Sequence, residues 1–388
     1  MAETSTIGGP HPLTVVFGEA TDQQSHLQCC QLAAAAFGAP LSEQDYLKRE
    51  AYLGQQPLTR HGGWRTWCIR LTNAGPPVGQ VVAACTTIQR SLLVWGEGGE
   101  GGDGGVVGEK KGYCIASVVT HPDFRGRGLA SALLERLGRW LDGPGGAAAS
   151  MLYTSIENCS KFYHDRGWRM LPAYEAVLSF PTPGVHLPSD QASFPTTRLL
   201  GRTEISELCV RDVESIRTSF RGLQGNEDER HVSVLPTPEI MAWMQDRGDF
   251  TASKVSREKT TTPPLHHGSI CESTDTWLYW YHDYRKQHLA IQRIHLGVSS
   301  NSQTQLVDAL AALLLDAAND AGKRNLPRVV IWDPDAATLE AANTLGTAHG
   351  VKVDYGERVG SSMPSIRWRE ADLSRKTIVH NNEKFAYS

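Results

Sequence analysis

The stretch YCIASVVTHPDFRGRGLASALLERLGRWL, residues 113–141, decides the fold of the first half of the chain. Its first part, residues 113–119, is mostly apolar, which is typical of a buried strand. Pro122 ends that strand, because proline cannot donate a hydrogen bond to a sheet ladder. Farther along, apolar residues recur with the period of a helix at Ala130, Leu133, Leu134, Leu137 and Leu141. The stretch therefore predicts a strand, a short turn and a helix.

The turn between this strand and this helix has the composition of an anion-binding site. The first N–H groups of a helix have no intrahelical acceptor, and the helix dipole adds partial positive charge there. Glycine lets a ligand approach the backbone, and arginine adds formal charge. The turn lacks the Lys-Ser or Lys-Thr pair of a P-loop and the third glycine of the dinucleotide fingerprint. We predict that a pyrophosphate binds at this turn. The residues proposed to bind it are Arg125, Gly126, Arg127, Gly128, Leu129 and Ala130.

Residues 125–130 resemble the R-x-x-G-x-A signature of the GCN5-related N-acetyltransferases, the GNAT superfamily. In that family the signature holds the pyrophosphate of acetyl-CoA. The resemblance implies that the preceding strand is splayed from its neighbour, and that the backbone at Val118 and Val119 binds the acetyl and pantetheine groups. The alternative interpretation is a surface turn whose glycines are incidental.

A later segment, NCSKFYHDRGW at residues 158–168, resembles the N-x-x-x-x-Y-x-x-x-G-F/W segment of the same superfamily. The resemblance implies that Asn158 lies near the pantetheine arm and that Tyr163 faces the thioester as the general acid. Considered alone, such a tyrosine is more often a core residue. Gly167 is expected to end the helix that carries both side chains. Two motifs in the order of the family indicate an acetyl-CoA-dependent N-acetyltransferase.

The composition is that of a globular protein large enough for two domains, with 388 residues, 40% hydrophobic and 21% charged. The net charge of −4 argues against a nucleic-acid partner, and no apolar run is long enough to span a membrane. The eight cysteines form no C-x-x-C pair and the N-terminus lacks a signal peptide, so we expect reduced thiols and a cytoplasmic protein. No metal site is expected, and we interpret His266 and His267 as part of a solvated loop.

We expect an α/β (α+β) fold of two domains. Residues 1–182 form the first, a GNAT fold with a mixed central sheet flanked by helices, whose last strand covers residues 174–180. Residues 183–200 form a linker, and residues 201–388 form a C-terminal α/β domain, for which a degenerate GNAT-like repeat is one alternative. The glycine-rich residues 96–108 are expected to be a flexible surface insertion, because they have too few apolar side chains to offset the entropy of ordering.

Apolar periodicity, capping residues and turn residues predict the other elements. The predicted helices cover residues 23–37, 42–52, 203–220, 236–246, 303–321 and 335–345. The predicted strands cover residues 13–17, 64–71, 78–87, 148–156, 276–281, 288–298, 328–332, 351–355 and 365–368, with a hairpin turn at 283–286 and a polar loop at 253–267.

The whole chain resembles the fungal lysine acetyltransferases of lysine catabolism. The resemblance rests on the length of the chain and on three segments: WYHDYRK at residues 280–286, WD at residues 332–333 and PSI at residues 364–366. It implies that acetyl-CoA donates an acetyl group to the N6-amino group of free L-lysine. The C-terminal domain is then expected to face the acceptor and to supply its specificity.

Recognition of a free amino acid requires groups for both of its charges. Its carboxylate is usually bound by arginine, for which Arg285, Arg293 and Arg367 are the candidates. Its ammonium requires an acidic partner, for which Asp283 and Glu175 are the candidates.

The sequence does not assign the general base. Ser117 and Thr120 on the strand are not bases on their own, and His121 in the turn is the nearest titratable group. The acceptor also stays open between lysine, another small amine, a polyamine and a protein lysine. A non-catalytic acyl-CoA-binding protein is a further alternative, which Tyr163 beside the glycine turn disfavours.

Overall fold

A computed structural model gives the fold of the chain. It describes residues 3–7, 12–72, 79–96, 106–154, 156–180, 186–188, 194–226, 228–255, 265–297, 302–358 and 362–387. The helices are α1 (Gln23–Phe37), α2 (Glu43–Leu53), α3 (Leu129–Asp142), α4 (Ile156–His164), α5 (Arg202–Arg221), α6 (Pro238–Val255), α7 (Gln303–Lys323) and α8 (Ala336–His349). Among the described residues, no helix is both long enough and apolar enough to cross a membrane.

The strands alternate with these helices along both halves of the chain. They are β1 (Glu3–Ile7), β2 (Leu13–Glu19), β3 (Trp64–Leu71), β4 (Val81–Trp95), β5 (Val107–Thr120), β6 (Ala149–Thr154), β7 (Arg169–Met170), β8 (Tyr174–Ser179), β9 (Arg198–Leu200), β10 (Glu229–Val234), β11 (Gly268–Cys271), β12 (Thr276–Asp283), β13 (His288–His295), β14 (Arg328–Trp332), β15 (Lys352–Glu357), β16 (Met363–Trp368) and β17 (Lys376–His380).

The chain folds into two compact units. The first contains Met1–Leu171, and two later segments, Asn226–Arg230 and Pro364–Thr377, also belong to it. The remaining residues form the second unit. Part of the expected linker belongs to the second unit, where Leu187 is buried and its N–H donates to Asn319 at 2.7 Å. Residues 181–185 and 189–193 of that region lie outside the described residues.

The sheet of the first unit contains a strand from the far end of the sequence. Eight of the ten strands in this sheet follow the order β1-β2-β3-β4-β5-β6-β16-β7. β16 pairs antiparallel with β7, with Ser365 opposite Met170 and Ile366 opposite Arg169. Every residue of β16 is buried. We expected the strand at 365–368, but its place between β6 and β7 is decided by tertiary pairing.

β4 and β5 form a long antiparallel hairpin. Its last paired residues are Trp95 with Val107 and Val94 with Gly108. The glycine-rich insertion is therefore shorter than the expected 96–108, because Val107 and Gly108 belong to β5 and share its ladder. Residues 97–105 lie outside the described residues.

α3 packs its predicted apolar stripe on this sheet. Leu133, Leu134, Leu137 and Leu141 are all buried in one cluster with strand residues such as Ile115. The structure thus confirms the strand, turn and helix predicted from residues 113–141. Burial of this stripe fixes where α3 begins, and hence where the glycine turn lies.

The second unit has its own seven-stranded sheet, in the order β15-β8-β14-β13-β12-β11-β9. β8 lies inside it, antiparallel to both β14 and β15. The sequence predicts residues 174–180 as the last strand of the first domain, but the structure places this strand in the sheet of the second unit. Buried and less buried residues alternate along β8, which is the pattern of a strand with one face against a core, and that pattern suits either sheet.

Most of the predicted elements of the second half are confirmed. α7 begins after Ser302, whose side chain accepts from Gln305 N–H, and it buries the leucines expected from its periodicity. α6 is longer than predicted and extends to Val255, so the expected polar loop begins later. Residues 256–264 of that loop lie outside the described residues.

We expect the stability of the second unit to decrease in mild acid because of His288. Burial, together with the charges of Lys384 and Lys286, lowers the pKa of this imidazole from 6.5 to about 4, although Asp283 opposes the shift. The unfolded chain therefore binds a proton near pH 6.5 that the folded unit does not bind until about pH 4, so stability is lost as the pH falls through that window. Between pH 7 and pH 5 the loss is about 2 kcal/mol.

Urea denaturation of the full-length protein at both pH values measures this loss. His288→Gln is the comparison, since glutamine does not titrate. An equal pH dependence of the two proteins would contradict the lowered pKa of His288.

Candidate active site

A β-bulge interrupts the pairing of β4 and β5. Ser117 and Val118 of β5 lie opposite a single residue of β4, Cys85. Ser117 has a φ of 52°, which is uncommon for a residue other than glycine. A bulge bends the strand and redirects its backbone groups, and bulges are frequent beside active sites. This feature follows from no single residue type and was not predicted.

Next to the bulge, β5 separates from its other neighbour, β6. The two strands are parallel, and their paired residues end at Cys114 and Met151. β5 nevertheless continues to Thr120 and β6 to Thr154. Val118 and Val119 lie in the part of β5 without a described partner on β6. Their N–H and C=O groups on that edge therefore need another partner, such as a ligand.

The glycine turn follows directly and opens α3. Gly126 and Gly128 have φ angles of 76° and 79°, which favour glycine. The first intrahelical bond is from Ala132 N–H to Gly128 C=O at 3.0 Å, so the N–H groups of residues 129–131 have no acceptor within the helix. A Cβ atom added at Gly126 would meet nothing within 4 Å, so the space above the turn is open.

Charged side chains flank this open turn. Arg125 and Arg127 are exposed. The Arg127 guanidinium lies 5.6 Å above the Phe124 ring, and Arg125 Nε donates to Thr120 C=O at 3.4 Å. Leu129 is buried under the helix start and Ala130 is half-buried. The turn thus combines free backbone donors with two cationic side chains.

His121 has a structural role in this turn. Its Nδ1 accepts from Asp123 N–H at 3.3 Å and caps the short turn Pro122–Phe124. A nitrogen that accepts this bond is not available to accept a substrate proton. The geometry therefore disfavours His121 as the general base.

Tyr163 lies on α4 and is buried in the core of the first unit. Its ring meets the Trp168 ring edge-on, with the centroids 6.3 Å apart. Gly167 follows the helix with a φ of 89°, and a Cβ there would lie 2.7 Å from Ala371 Cβ. The glycine is therefore needed for both its backbone angle and this close approach. Asn158 is on the first turns of α4, and its side chain lies outside the described residues.

A narrow crevice on the other side of the bulge brings Ser117 together with Glu50 of α2. Its free volume is about 10 Å³, the space of a single water molecule. Glu50 is half-buried, and Arg49 donates to its Oε1 from two nitrogens at 3.0 and 2.8 Å. Cys30 also lines the crevice, but burial raises the pKa of its thiol to about 12, so it is uncharged.

Glu50 is a candidate that the sequence did not indicate. It is the one carboxylate among the described residues that line the crevice. α2 comes far before β5 in the sequence, and only the packing of α1 and α2 against the sheet brings the two together. The sequence feature that could have indicated Glu50 is its spacing from Tyr46, because residues one helical turn apart lie on the same face of α2.

Two of the three arginines predicted to bind the carboxylate of the acceptor, Arg367 and Arg293, have carboxylate partners within the protein. Arg367 belongs to the first unit, where it binds both oxygens of Asp142 at 2.8 and 2.6 Å. Arg293 donates to Asp212, Glu383 and Asn381, and both it and Asp212 are buried. This geometry disfavours both arginines as substrate ligands, because all of their terminal nitrogens are engaged. Arg285 is exposed at the turn after β12.

The predicted ammonium partners are placed as follows. Asp283 accepts from the N–H groups of Arg285 and Lys286, and so fixes the hairpin turn. Although burial alone would raise it, nearby positive charges such as that of His288 lower the pKa of Asp283 to about 2. Glu175 lies on β8 opposite Trp332. Both residues belong to the second unit.

Sequence comparison assigns the chain to a family. The model of a family described as the LYC1 GNAT-like C-terminal domain matches residues 184–388, more than half of the chain. The chain belongs to this family. A second model, the acetyltransferase (GNAT) domain, matches residues 89–170, which include the glycine turn. The family member described here is thus an acetyl-CoA-dependent N-acetyltransferase of the GNAT type with tandem GNAT-like domains, which confirms the alternative of a repeated fold.

Solved structures show the same fold. A GCN5-related N-acetyltransferase from Anabaena variabilis superposes with a TM-score of 0.52 at 13% identity, over 92% of this chain and 73% of that chain. A conserved Enterococcus faecalis protein described as a probable N-acyltransferase gives a TM-score of 0.51 at 12% identity, over 92% of this chain and 73% of that chain. At such identities the likeness shows the fold alone. No curated protein sequence matches this family member.

Proposed function

We propose that the protein transfers the acetyl group of acetyl-CoA to the N6-amino group of free L-lysine. The observation that carries the acetyl-CoA site is the succession, within one unit, of the bulge at Ser117, the unpaired end of β5 and the glycine turn before α3. The choice of free lysine rests on the resemblance of the whole chain to the fungal lysine acetyltransferases. In this proposal the second unit supplies acceptor specificity.

The proposed cofactor site uses backbone groups more than side chains. The pyrophosphate lies on the turn, where the N–H groups of residues 129–131 and the helix dipole favour negative charge. Arg125 and Arg127 add charge-assisted hydrogen bonds. The pantetheine arm follows the unpaired edge of β5 at Val118 and Val119. In this proposal Asn158 lies beside the pantetheine arm.

Acetyl transfer needs a neutral amine and a protonated leaving group. A lysine ε-amine has a pKa of about 10.4, so its deprotonation at pH 7 costs about 4.6 kcal/mol. We assign the role of base to Glu50, which accepts the proton through a water molecule in the crevice. The oxyanion is stabilised by backbone N–H near Val119, and Tyr163 protonates the departing thiolate.

A panel of amines tests the proposed acceptor. The purified protein is offered acetyl-CoA with free L-lysine, Nα-acetyl-lysine, spermidine or a lysine-containing peptide, and N6-acetyl-lysine is the matched control. We expect the highest kcat/KM with free L-lysine, and mass spectrometry of the product should locate the new acetyl group on N6. Turnover of peptide or polyamine alone would contradict the lysine assignment. Binding of acetyl-CoA without turnover of any amine would favour the non-catalytic alternative.

We expect Tyr163→Phe to lower kcat by about 10²-fold or more, because the thiolate would leave without a proton donor. The affinity for acetyl-CoA should stay unchanged. Tyr113→Phe is the control, since Tyr113 is also buried but its hydroxyl donates to Gly145 C=O at 3.1 Å. Steady-state kinetics across pH measures both variants. Wild-type turnover of Tyr163→Phe at every pH would remove Tyr163 from the mechanism.

A further inference from the structure

Two histidines and two carboxylates form a cluster in the second unit that the acetyl-transfer site does not use. His267 immediately precedes β11, His282 lies on β12, Asp249 lies on α6 and Asp320 lies on α7. The side chains of His267 and His282 are 0% and 1% exposed. The structure thus contradicts the expectation that His267 belongs to a solvated loop. One potential ligand atom each from Asp249, His267 and His282 lies within 4.8 Å of the other two.

The hydrogen bonds of the cluster determine which ring nitrogens carry protons. His267 Nε2 lies 3.1 Å from Asp249 Oδ2, and His282 Nε2 lies 2.7 Å from Asp320 Oδ2. Both carboxylates are surrounded by donors, since Asp249 Oδ2 also accepts from Arg202 at 2.6 Å and Asp320 Oδ2 from Trp280 at 2.9 Å, and a carboxylate oxygen can only accept. Each Nε2 must therefore be protonated, and each Nδ1 of a neutral imidazole carries a lone pair.

Three buried acceptors are consequently left without a donor. Nδ1 of His267, Nδ1 of His282 and Oδ1 of Asp249 have no hydrogen-bond partner within the described part of the chain. A buried acceptor without a partner costs about 1–3 kcal/mol. A cation held between Asp249, His267 and His282, whose ligand atoms lie within 4.8 Å of one another, would replace the hydrogen bond from His267 Nε2 to Asp249 Oδ2 by bonds to the ion, with release of the Nε2 proton.

The chain builds this cluster at a close helix–strand contact. A Cβ added at Gly248 of α6 would lie 2.7 Å from His282 C=O, so glycine is needed to bring α6 onto β12. The backbone of His267 is fixed on both sides, since its N–H donates to Leu200 C=O and its C=O accepts from Trp280 N–H. The ligand atoms are thus presented by three separately anchored segments.

We propose that Asp249, His267 and His282 bind a divalent transition-metal ion, with zinc the best match. Imidazole nitrogen with one carboxylate is a zinc-type ligand set, whereas Mg²⁺ and Ca²⁺ prefer oxygen ligands. Zn–N bonds of about 2.0–2.1 Å place tetrahedral ligand atoms roughly 3.4 Å apart, so small side-chain movements close the site. The Asp320 carboxylate that orients His282 is the usual outer partner of a metal-bound histidine. The ion links α6, β11 and β12 and so stabilises the second unit.

The full-length protein, purified without a histidine tag, tests the site. Metal content is measured by mass spectrometry, and the metal-free protein is titrated with zinc sulfate against a chromophoric chelator. We expect one zinc ion per chain, a Tm that rises when zinc is added back, and visible d–d bands of a tetrahedral site after loading with Co²⁺. Metal-free protein whose Tm does not respond to zinc overturns the proposal.

Three variants identify the ligands. His267→Asn should lose at least about 10²-fold in zinc affinity, and Asp320→Asn should lose about 10–100-fold, because it removes only the outer partner of His282. His266→Asn is the matched control, since it changes the neighbouring histidine and should bind zinc as the wild type does. If His267→Asn fails to fold, Asp320→Asn and the Co²⁺ spectrum decide. Wild-type affinity in a folded His267→Asn or Asp320→Asn variant overturns the assignment.

Discussion

Gly128→Glu is expected to abolish the binding of acetyl-CoA. Residue 128 immediately precedes α3, so the new carboxylate would lie where the pyrophosphate is proposed to bind the first N–H groups of the helix. Two like charges 4 Å apart repel by about 4 kcal/mol at an effective dielectric constant of about 20. That energy corresponds to roughly a 10³-fold loss of affinity. Calorimetric titration of the full-length protein with acetyl-CoA measures it directly.

Gly128→Ala is the matched control for this variant. Gly128 has a φ of 79°, so alanine and glutamate impose the same backbone strain. The atom nearest to the added Cβ would be Ile7 Cγ2 at 4.0 Å, so neither residue causes a clash at Cβ. We expect Gly128→Ala to bind acetyl-CoA within about 10-fold of the wild type, since strain of this kind costs of order 1 kcal/mol. Wild-type affinity of Gly128→Glu would place the pyrophosphate elsewhere.

Residues 1–182 expressed alone are expected not to fold, even though they contain both acetyltransferase motifs. The fragment lacks β16, whose six residues are all buried in the sheet of the first unit. Removing a single large apolar core side chain costs about 2–5 kcal/mol, and β16 contributes Ile366 and Trp368 to the buried residues. A whole domain is stable by only about 5–15 kcal/mol. Circular dichroism and thermal unfolding measure the loss.

A rejoined fragment separates the loss of β16 from the loss of the second unit. Leu171 N–H donates to Pro364 C=O at 2.9 Å, so these two residues are neighbours in space. A short glycine-rich turn can therefore join residues 1–171 directly to residues 364–377. We expect this chain to fold and to bind acetyl-CoA. Cooperative unfolding of 1–182 at the same temperature as the rejoined chain would contradict the role of β16.

The local structure around the cofactor turn could be predicted from the sequence. Apolar residues recur with one period in residues 113–119 and with another in residues 129–141. Because buried side chains have a different period in a strand and in a helix, this change predicts a strand followed by a helix. Caps are equally local: Asp22 accepts from Ser25 N–H, three residues away, as expected. Glycine at 126 and 128 predicted an open turn, and both residues have the positive φ that only glycine adopts freely.

Pairing between distant strands was decided only by the tertiary structure. Both β8 and β16 were predicted as strands, yet β8 belongs to the second sheet and β16 to the first. A run in which alternate or all side chains are apolar predicts a strand. The same pattern occurs in any sheet that packs against a core, so it does not predict which strand lies next to it. The bulge at Ser117 likewise depends on how β4 pairs with β5.

Contacts between polar side chains that are far apart in the chain could not be predicted from the sequence either. Glu50 and Ser117 meet at one crevice, and His267, His282 and Asp249 meet in another unit, although no short motif joins either set. Conversely, Arg293 and Arg367 looked available for a substrate but are engaged by Asp212 and Asp142. The sequence does not show whether a charged side chain is solvated or forms an ion pair. Its partner is determined by the packing of elements far apart in the chain, because burying an unpaired charge is too costly to persist.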